Sequence, residues 1–458
     1  MGKARYRIAL CAARLSIPVL RLTGHKATDF PGRVALKICP DFLKYIDRPR
    51  LVLGVTGTNG KTTISNLLTD LLREFGTETL NNASGSNTIT GLVTSIVRDC
   101  TAGGKRNHDI AVFEIDERST RLICPYLKPD KMIIANLSRD SIMRTGHPQY
   151  VRDILTEFIP PETKLICNAD DLNASLAAPG NDKVYYGIER MPSDMAECTN
   201  LIRDVVICPE CRGILKFRYI RYSNIGRAYC PQCGYEAPEY DYAASDVDRK
   251  SMKMRFTGAG GSAVFPLLNE SIFNIYNQVA AAAMLSELGY DAETIADAMR
   301  RVSIAKTRYN CVEVNGRRVI TMLCKGLNGY AASRVMEYIR ETSGDKEIVI
   351  MTNSLDAQIQ WSEDLCWLYD CDFELLADDS VKQIIVHGDR RYDYKMRLLM
   401  AGIPEERITA VDAPEDSLGR LELFAGDNVY VLYDLDVIDK GLKLADTIAE
   451  RCKKEGVR

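Results

Sequence analysis

Histidine is scarce in this chain: His25, His108, His147 and His387 are the only four in 458 residues. A His-rich metal centre or a His-based triad built within the chain is therefore not expected. Charge of one sign is lacking too, the formal net charge being −3 and the pI near 6.0. That balance excludes the basic footprint of a bulk nucleic-acid binder, and no nucleic-acid partner is expected. Long apolar runs are missing. The stretch from Ile8 to Leu20 is broken by Arg14 and Pro18, too short and too charged to span a bilayer. It reads as a helix packed on its own protein. The alternative is a helix lying on a membrane surface through Lys3, Arg5, Arg7 and Arg21, at the inner face. No secretory signal pattern, internal repeat or low-complexity tract is seen. The 15 cysteines then point to a reducing cytoplasm, with thiols free or on metal rather than paired.

What is present is organised around Gly54-Val55-Thr56-Gly57-Thr58-Asn59-Gly60-Lys61-Thr62-Thr63. An apolar run, Leu51 to Val55, leads in, and a helical pattern, Thr62 to Glu74, leads out. Strand, glycine loop, Lys-Thr and helix together make a phosphate-binding loop. Gly57 and Gly60 let the backbone curl so that successive N–H groups of Thr58, Asn59 and their neighbours through Thr63 face one anion. The helix start adds unpaired N–H groups and a partial positive charge. Lys61 adds a full charge, and the Thr62 hydroxyl can ligate Mg²⁺. The strict pattern would place its first glycine at Val55, so this is a variant loop. Lys61 is expected to stand exposed while the loop is empty.

From Leu51 onward, apolar runs at 110–115, 132–137, 165–167 and 184–186 alternate with helical patterns, the rhythm of a parallel sheet. The Cys-punctuated segment 198–240 breaks it and reads as an insertion. A β pattern at 252–265 and an Ala-rich helix at 271–288 follow. The rhythm restarts after Arg308, with strands expected at 318–323, 347–352, 381–386, 408–411 and 428–432. The expected division is an N-terminal helix and loop segment (1–45), a central nucleotide-binding domain (46–310) and a C-terminal Rossmann-like α/β domain (311–458).

Cys208-Pro-Glu-Cys211 and Cys230-Pro-Gln-Cys233 are two CxxC pairs with 18 residues between them. Two knuckles so spaced suit one tetrahedral Zn²⁺ in a closed structural ribbon. Glu114-Ile-Asp116-Glu117 ends an expected strand. Carboxylates at that sheet edge, beside a phosphate loop, can hold Mg²⁺; away from it they would form a solvated acidic turn. Asn136-Leu-Ser-Arg139-Asp140 ends the next strand. Asn274 and Asn277 lie at a helix start, where they read as cap residues or as groups reaching a nucleotide.

The order of these motifs resembles the ATP-dependent Mur ligases: Thr-Gly-Thr-Asn-Gly-Lys-Thr-Thr, a Glu-containing strand end, Asn-Leu-x-Arg-Asp, Asn168-Ala-Asp-Asp171, and Asn-x-x-Asn before an Ala-rich helix. The inserted four-Cys ribbon is similar to one branch, the MurT subunits of lipid II isoglutaminyl synthase. Phe30-Pro-Gly-Arg-Val, Asn82-x-x-Gly-x-Asn87 and Gly388-Asp-Arg-Arg-Tyr-Asp393 extend the likeness along the chain. The resemblance implies a ligase that activates a carboxylate with ATP and Mg²⁺ and takes ammonia from a GatD-type glutaminase partner. The stem peptide of lipid II would be the acceptor. It implies phosphate and Mg²⁺ binding by Lys61 and Thr62, a Mg²⁺ ligand in Glu114, Asn82 beside the phosphates, and Asn274 or Asn277 toward the adenine. Arg139 and Arg308 are candidates to grip substrate oxygens. In the family's C-terminal domain an Asp is thought to orient the partner's histidine; the matching run here is Asp364-Leu-Cys-Trp367, with Asp356 as fallback. The chain departs from the family pattern at Trp361-Ser362 and at Thr307-Arg308-Tyr309-Asn310. Two other readings compete: an amino-acid ligase of the same fold that needs no glutaminase, and a non-enzymatic ATP- or zinc-binding module.

Overall fold

The structure, a computed structural model, describes residues 2–455 apart from 25–26, 84–85, 141–146, 303–308, 325–327, 353–364, 424–427 and 435–436. The chain divides into two compact units. The first holds residues 1–138, 148–199 and 203–304; the second holds 139–147, 200–202 and 305–458.

The first unit begins with helices α1 (Gly2–Leu22) and α2 (Phe30–Ile38). There follow β1 (Leu51–Thr56), α3 (Lys61–Glu74), β2 (Leu80–Asn81), α4 (Ile89–Asp99), β3 (Ile110–Glu114), α5 (Thr120–Leu127) and β4 (Lys131–Ile134). Then come α6 (Pro148–Phe158), β5 (Lys164–Asn168), α7 (Leu172–Leu176) and β6 (Lys183–Ile188). The inserted segment contributes a two-stranded ribbon, β7 (Lys216–Tyr222) and β8 (Ile225–Tyr229). The unit closes with β9 (Tyr242–Asp248), β10 (Lys253–Gly258), β11 (Gly261–Pro266), α8 (Ile272–Glu287) and α9 (Ala292–Met299).

Nine strands form one mixed sheet in the order β11-β10-β9-β6-β5-β4-β1-β3-β2. The strands from β9 to β2 in that order run parallel, and β10 and β11 close the edge antiparallel. β1 lies between β3 and β4, with Val55 opposite Glu114 and Thr56 opposite Ile134. The chain therefore winds away from β1 in both directions, and the crevice beyond its C-terminal end is a topological switch point. β1 reads as a continuous apolar run because both faces are covered; Val52, Leu53 and Val55 have no exposed surface. β9 was not among the expected strands. Its sequence, Tyr-Ala-Ala-Ser-Asp-Val-Asp, has small and acidic residues where a strand pattern would show branched ones.

The second unit contains β12 (Tyr309–Val314), β13 (Arg317–Leu323), α10 (Gly329–Glu341), β14 (Lys346–Met351), α11 (Cys366–Asp370) and β15 (Val381–His387). It ends with α12 (Arg391–Met400), β16 (Ile408–Val411), α13 (Asp416–Arg420), β17 (Asn428–Tyr433) and α14 (Ile438–Glu455). Its six-stranded sheet has the order β12-β13-β17-β14-β15-β16, parallel except for the β12–β13 hairpin. Period-2 alternation sorts the side chains of β14: Ile348 and Ile350 enter one core, Val349 and Met351 the other. The hairpin partner β12 was not expected, since it lies where the strand rhythm seemed only to be resuming. Among the described residues of either unit no helix is long and apolar enough to cross a membrane.

Candidate active site and cysteine cluster

The glycine loop emerges from β1 and turns into α3 through two left-handed residues, Gly57 (φ +133°) and Gly60 (φ +89°). A Cβ at Gly57 would lie 2.9 Å from the Asn136 carbonyl oxygen, and one at Gly60 would clash with the Asn277 amide. Neither position admits a side chain, which is what a backbone that must approach an anion closely requires. Asn136, two residues past β4, fixes the curl. Its carbonyl accepts from Thr58 N (2.8 Å), its Oδ1 from Asn59 N (2.9 Å), and its Nδ2 donates to the Asn59 carbonyl (2.8 Å). Ser138 N donates to Thr58 Oγ1 at 3.0 Å. The Thr56–Ile134 register places these two segments side by side, so the bracing of the glycine loop by Asn136 is visible only once the strands are paired.

Lys61 is not exposed, which corrects the expectation. Only 11% of its side-chain surface is accessible, and its Nζ lies 3.0 Å from Glu117 Oε1; it also donates to the Gly57 carbonyl. Burial weighs against the ammonium, but the Glu117 carboxylate, helped by Glu114 and Asp116, outweighs it and holds the Lys61 pKa above its ordinary value. The pairing gives the largely covered ammonium a counter-ion, without which a buried charge would cost several kcal/mol. Glu117 is 56 residues from Lys61 in sequence, and no spacing rule connects them.

Glu114 ends β3 and accepts from Asn87 Nδ2 at 3.0 Å. Asn82 bonds the Glu114 backbone from both sides, its Nδ2 to the carbonyl at 2.8 Å and its Oδ1 from the N–H at 2.9 Å. Asn82 thus fixes the position of Glu114. Thr62 and Thr63 stand in the first turn of α3. Asn277 packs against Gly60 and donates to Asn274 Oδ1 at 3.3 Å, and Asn274 in turn donates to Ser271 Oγ. The residues fit a nucleotide phosphate. The glycine cradle has no room for side chains, and the buried Asn59 Nδ2 has no hydrogen-bond partner among the described residues, a donor that a phosphate oxygen would satisfy.

Asn168-Ala-Asp-Asp171 has its place too. Asp171 caps α7, accepting from Asn173 N and Ala174 N, and also from Leu137 N at 2.7 Å. Asp170, fully buried, accepts from Arg221 (3.2 Å), Tyr276 (2.6 Å) and Tyr240 (2.5 Å). Arg221 lies on β7 and also pairs with Asp194 at 2.9 Å. One buried carboxylate therefore ties the insertion, the end of β5 and α8 together. No sequence motif announced that network.

The four cysteines converge. Sγ–Sγ separations are 3.6 Å for Cys208–Cys233 and 3.5 Å for Cys211–Cys230, and all four Sγ atoms lie within 4.8 Å of one another. Four sulfurs at Zn–S distances of about 2.3 Å would stand roughly 3.8 Å apart. Each knuckle turns through a left-handed residue, Arg212 (φ +63°) and Gly234 (φ +79°). The N–H of Gly213 donates to Cys211 Sγ at 3.4 Å, the kind of outer bond that orients a metal-binding thiolate.

Arg139 groups with the second unit, where its guanidinium pairs with Asp370 at 3.3 Å. Asp364, Asp356 and Arg308 lie outside the described residues.

Comparison with known proteins agrees with this geometry. The Mur ligase middle domain family matches residues 55–204, and the MurT ligase C-terminal family matches residues 326–435. The MurT subunit of lipid II isoglutaminyl synthase (glutamine-hydrolyzing) from Streptococcus pneumoniae is 29% identical over 430 residues, 93% of each chain. The subunit of the same name from Staphylococcus aureus is 30% identical over 410 residues, 86% of this chain and 88% of its own. Among solved structures, a pseudomurein peptide ligase type C from Methanothermus fervidus superposes with a TM-score of 0.66 at 21% identity, covering 89% of this chain and 81% of its own. With a glycine loop at the switch point, a carboxylate-ringed lysine and this likeness along nearly its full length, the chain belongs to the MurT family of ATP-dependent Mur-type ligases.

Proposed function

We propose that the chain is the synthetase subunit of a two-subunit amidating enzyme. It converts the D-glutamate carboxylate of the lipid II stem peptide to D-isoglutamine, with ATP as the activating substrate. The observation that supports this reading best is Lys61, buried among Glu117, Glu114 and Asp116 at a rigid glycine loop, in a chain so similar to two subunits with that name.

A carboxylate lacks a leaving group. Its oxygen attacks the γ-phosphorus of ATP, the bond to ADP breaks, and an acyl phosphate forms. Ammonia then attacks the acyl carbon, phosphate departs with the C–O electron pair, and a proton is released. Loop N–H groups from Gly57 to Thr63 and the Lys61 ammonium neutralise the charge that develops on the transferred group. Arriving phosphate offers Lys61 an anion in place of Glu117. Thr62 and Glu114 would hold Mg²⁺, with Asn87 and Asn82 keeping Glu114 in place; the ion when bound neutralises phosphate charge. Asn274 and Asn277 face the nucleotide, and Arg139 grips an acceptor oxygen after leaving Asp370. Cys208, Cys211, Cys230 and Cys233 hold a structural Zn²⁺.

Ammonia is mostly protonated at neutral pH, so a GatD-type glutaminase delivering it directly is the fitting partner. Asp364 is the candidate to orient that partner's histidine. The test is co-expression with such a glutaminase, followed by ADP release in the presence of lipid II and glutamine. One ADP per amide formed is expected. Asp364→Asn should remove the use of glutamine while ammonium chloride at alkaline pH restores amidation. Turnover supported by an amino acid, and by neither glutamine nor ammonium, would establish an amino-acid ligase instead.

A further inference from the structure

Helix α1 has two faces. Tyr6, Ala9, Leu10 and Ala13 are buried in the first unit's core. On the opposite side stand Ile8, Cys11, Leu15, Val19 and Leu22. At 100° per residue these five fall within an arc roughly 80° wide. They are uncovered, with Ile8 63%, Leu15 69%, Val19 60% and Leu22 88% exposed. A scattered exposed leucine is ordinary, but a continuous stripe four turns long is not.

The charge around the stripe has one sign. Between Gly2 and Leu22 the chain has no Asp or Glu, although it has 62 overall. Arg7, Arg14 and Arg21, spaced by seven, stack with Lys3 along one flank of the stripe, and Arg5 lies on the other. Arg14 and Arg5 are committed inward, to the Cys100 and Ile38 carbonyls. Lys3, Arg7 and Arg21 are exposed. In a chain of net charge −3 this is a local cationic border around an apolar strip, with the far side of the helix packed on the folded protein.

We propose that α1 docks the protein in the plane of an anionic lipid bilayer. The stripe from Ile8 to Leu22 enters the boundary between headgroups and acyl chains, and Lys3, Arg7 and Arg21 meet the lipid phosphates. The lipid-linked acceptor proposed above gives such docking a use, yet the inference stands on α1 alone. A second copy of the chain is a poorer occupant, since apposed stripes would bring the two arginine-bordered surfaces together.

The test uses the full chain with vesicles containing neither lipid II nor nucleotide, so the outcome is independent of the amidation reading. Co-sedimentation should be roughly ten-fold stronger with vesicles of phosphatidylglycerol and phosphatidylcholine in equal parts than with phosphatidylcholine alone, and should weaken as salt rises above about 0.1 M. Leu15→Glu with Val19→Glu should lower binding at least roughly ten-fold. Arg7→Glu with Arg21→Glu should remove the preference for the anionic lipid and the salt dependence. Thermal melting should confirm that both double variants remain folded. The proposal is overturned if the wild-type chain ignores anionic vesicles or if the Leu15/Val19 variant binds them as well as the wild type. It is equally overturned if that variant merely turns a self-associating chain into a monomer with vesicle binding unaltered.

Discussion

The two units both build largely parallel sheets with an antiparallel edge, but they place their polar residues differently. In the first, buried and half-buried polar groups converge on one loop and one insertion: Asn136 on Thr58 and Asn59, Glu117 on Lys61, Asp170 on Arg221. In the second, β14 sends alternating aliphatic residues to the two sheet faces, the buried Arg397 is held by the Leu368 and Cys371 carbonyls and by Glu374, and a buried histidine, His387, stands at the end of β15. A phosphate loop works through backbone N–H groups, so a few glycines and one Lys-Thr pair specify it. The role proposed for Asp364 would depend instead on side-chain context, which no backbone motif specifies.

That contrast can be broken at several points. The largest stability effect is expected at the cysteine cluster. The purified chain should carry one zinc, and Cys230→Ser or chelation should unfold the insertion, because structural zinc binding in small domains is worth on the order of 10 kcal/mol. Iron, or no metal after gentle purification, would count against the assignment. Next is Asp170→Ala, which strands Arg221 in the interior with Asp194 as its one charged partner among the described residues. A loss of about 3–5 kcal/mol is expected in denaturant unfolding. Asp170→Asn should lose less, since it keeps hydrogen bonding to the ring of tyrosines.

The smallest effect belongs to the second unit. Burial, against Glu415 and with Lys440, pushes the His387 pKa down to about 4. The unfolded chain protonates this residue near 6.5 while the folded one does not, so the stability it contributes is present above that pH and is lost as pH falls toward 4. The full span is worth about 3 kcal/mol. His387→Asn should flatten that part of the pH–stability profile, and an unchanged profile would show that His387 is not held neutral.

Much of the fold is legible in the sequence. The strands at 110–115, 165–167, 381–386 and 428–432 are apolar runs of strand length, and the phosphate loop carries its own motif. β9 was not legible, because Ala, Ser and Asp in it resemble a loop. Neither was the Lys61–Glu117 pair, nor Asp170 with Arg221, since such contacts join residues 56 and 51 apart through sheet topology rather than local periodicity. The attachment of Asn82 to the Glu114 backbone likewise depends on the β2–β3 pairing.

The measurement that bears most directly on the account is ATP turnover by Lys61→Ala in the glutaminase complex, supplied with lipid II and glutamine. Turnover should fall at least about 10³-fold, with the complex intact. Because Glu117 loses its partner, the variant should also melt lower than the wild type. Adding Glu117→Gln should restore the melting temperature and leave turnover abolished. Near-normal ATP hydrolysis in Lys61→Ala would contradict the assignment of this loop as the centre of the ligase.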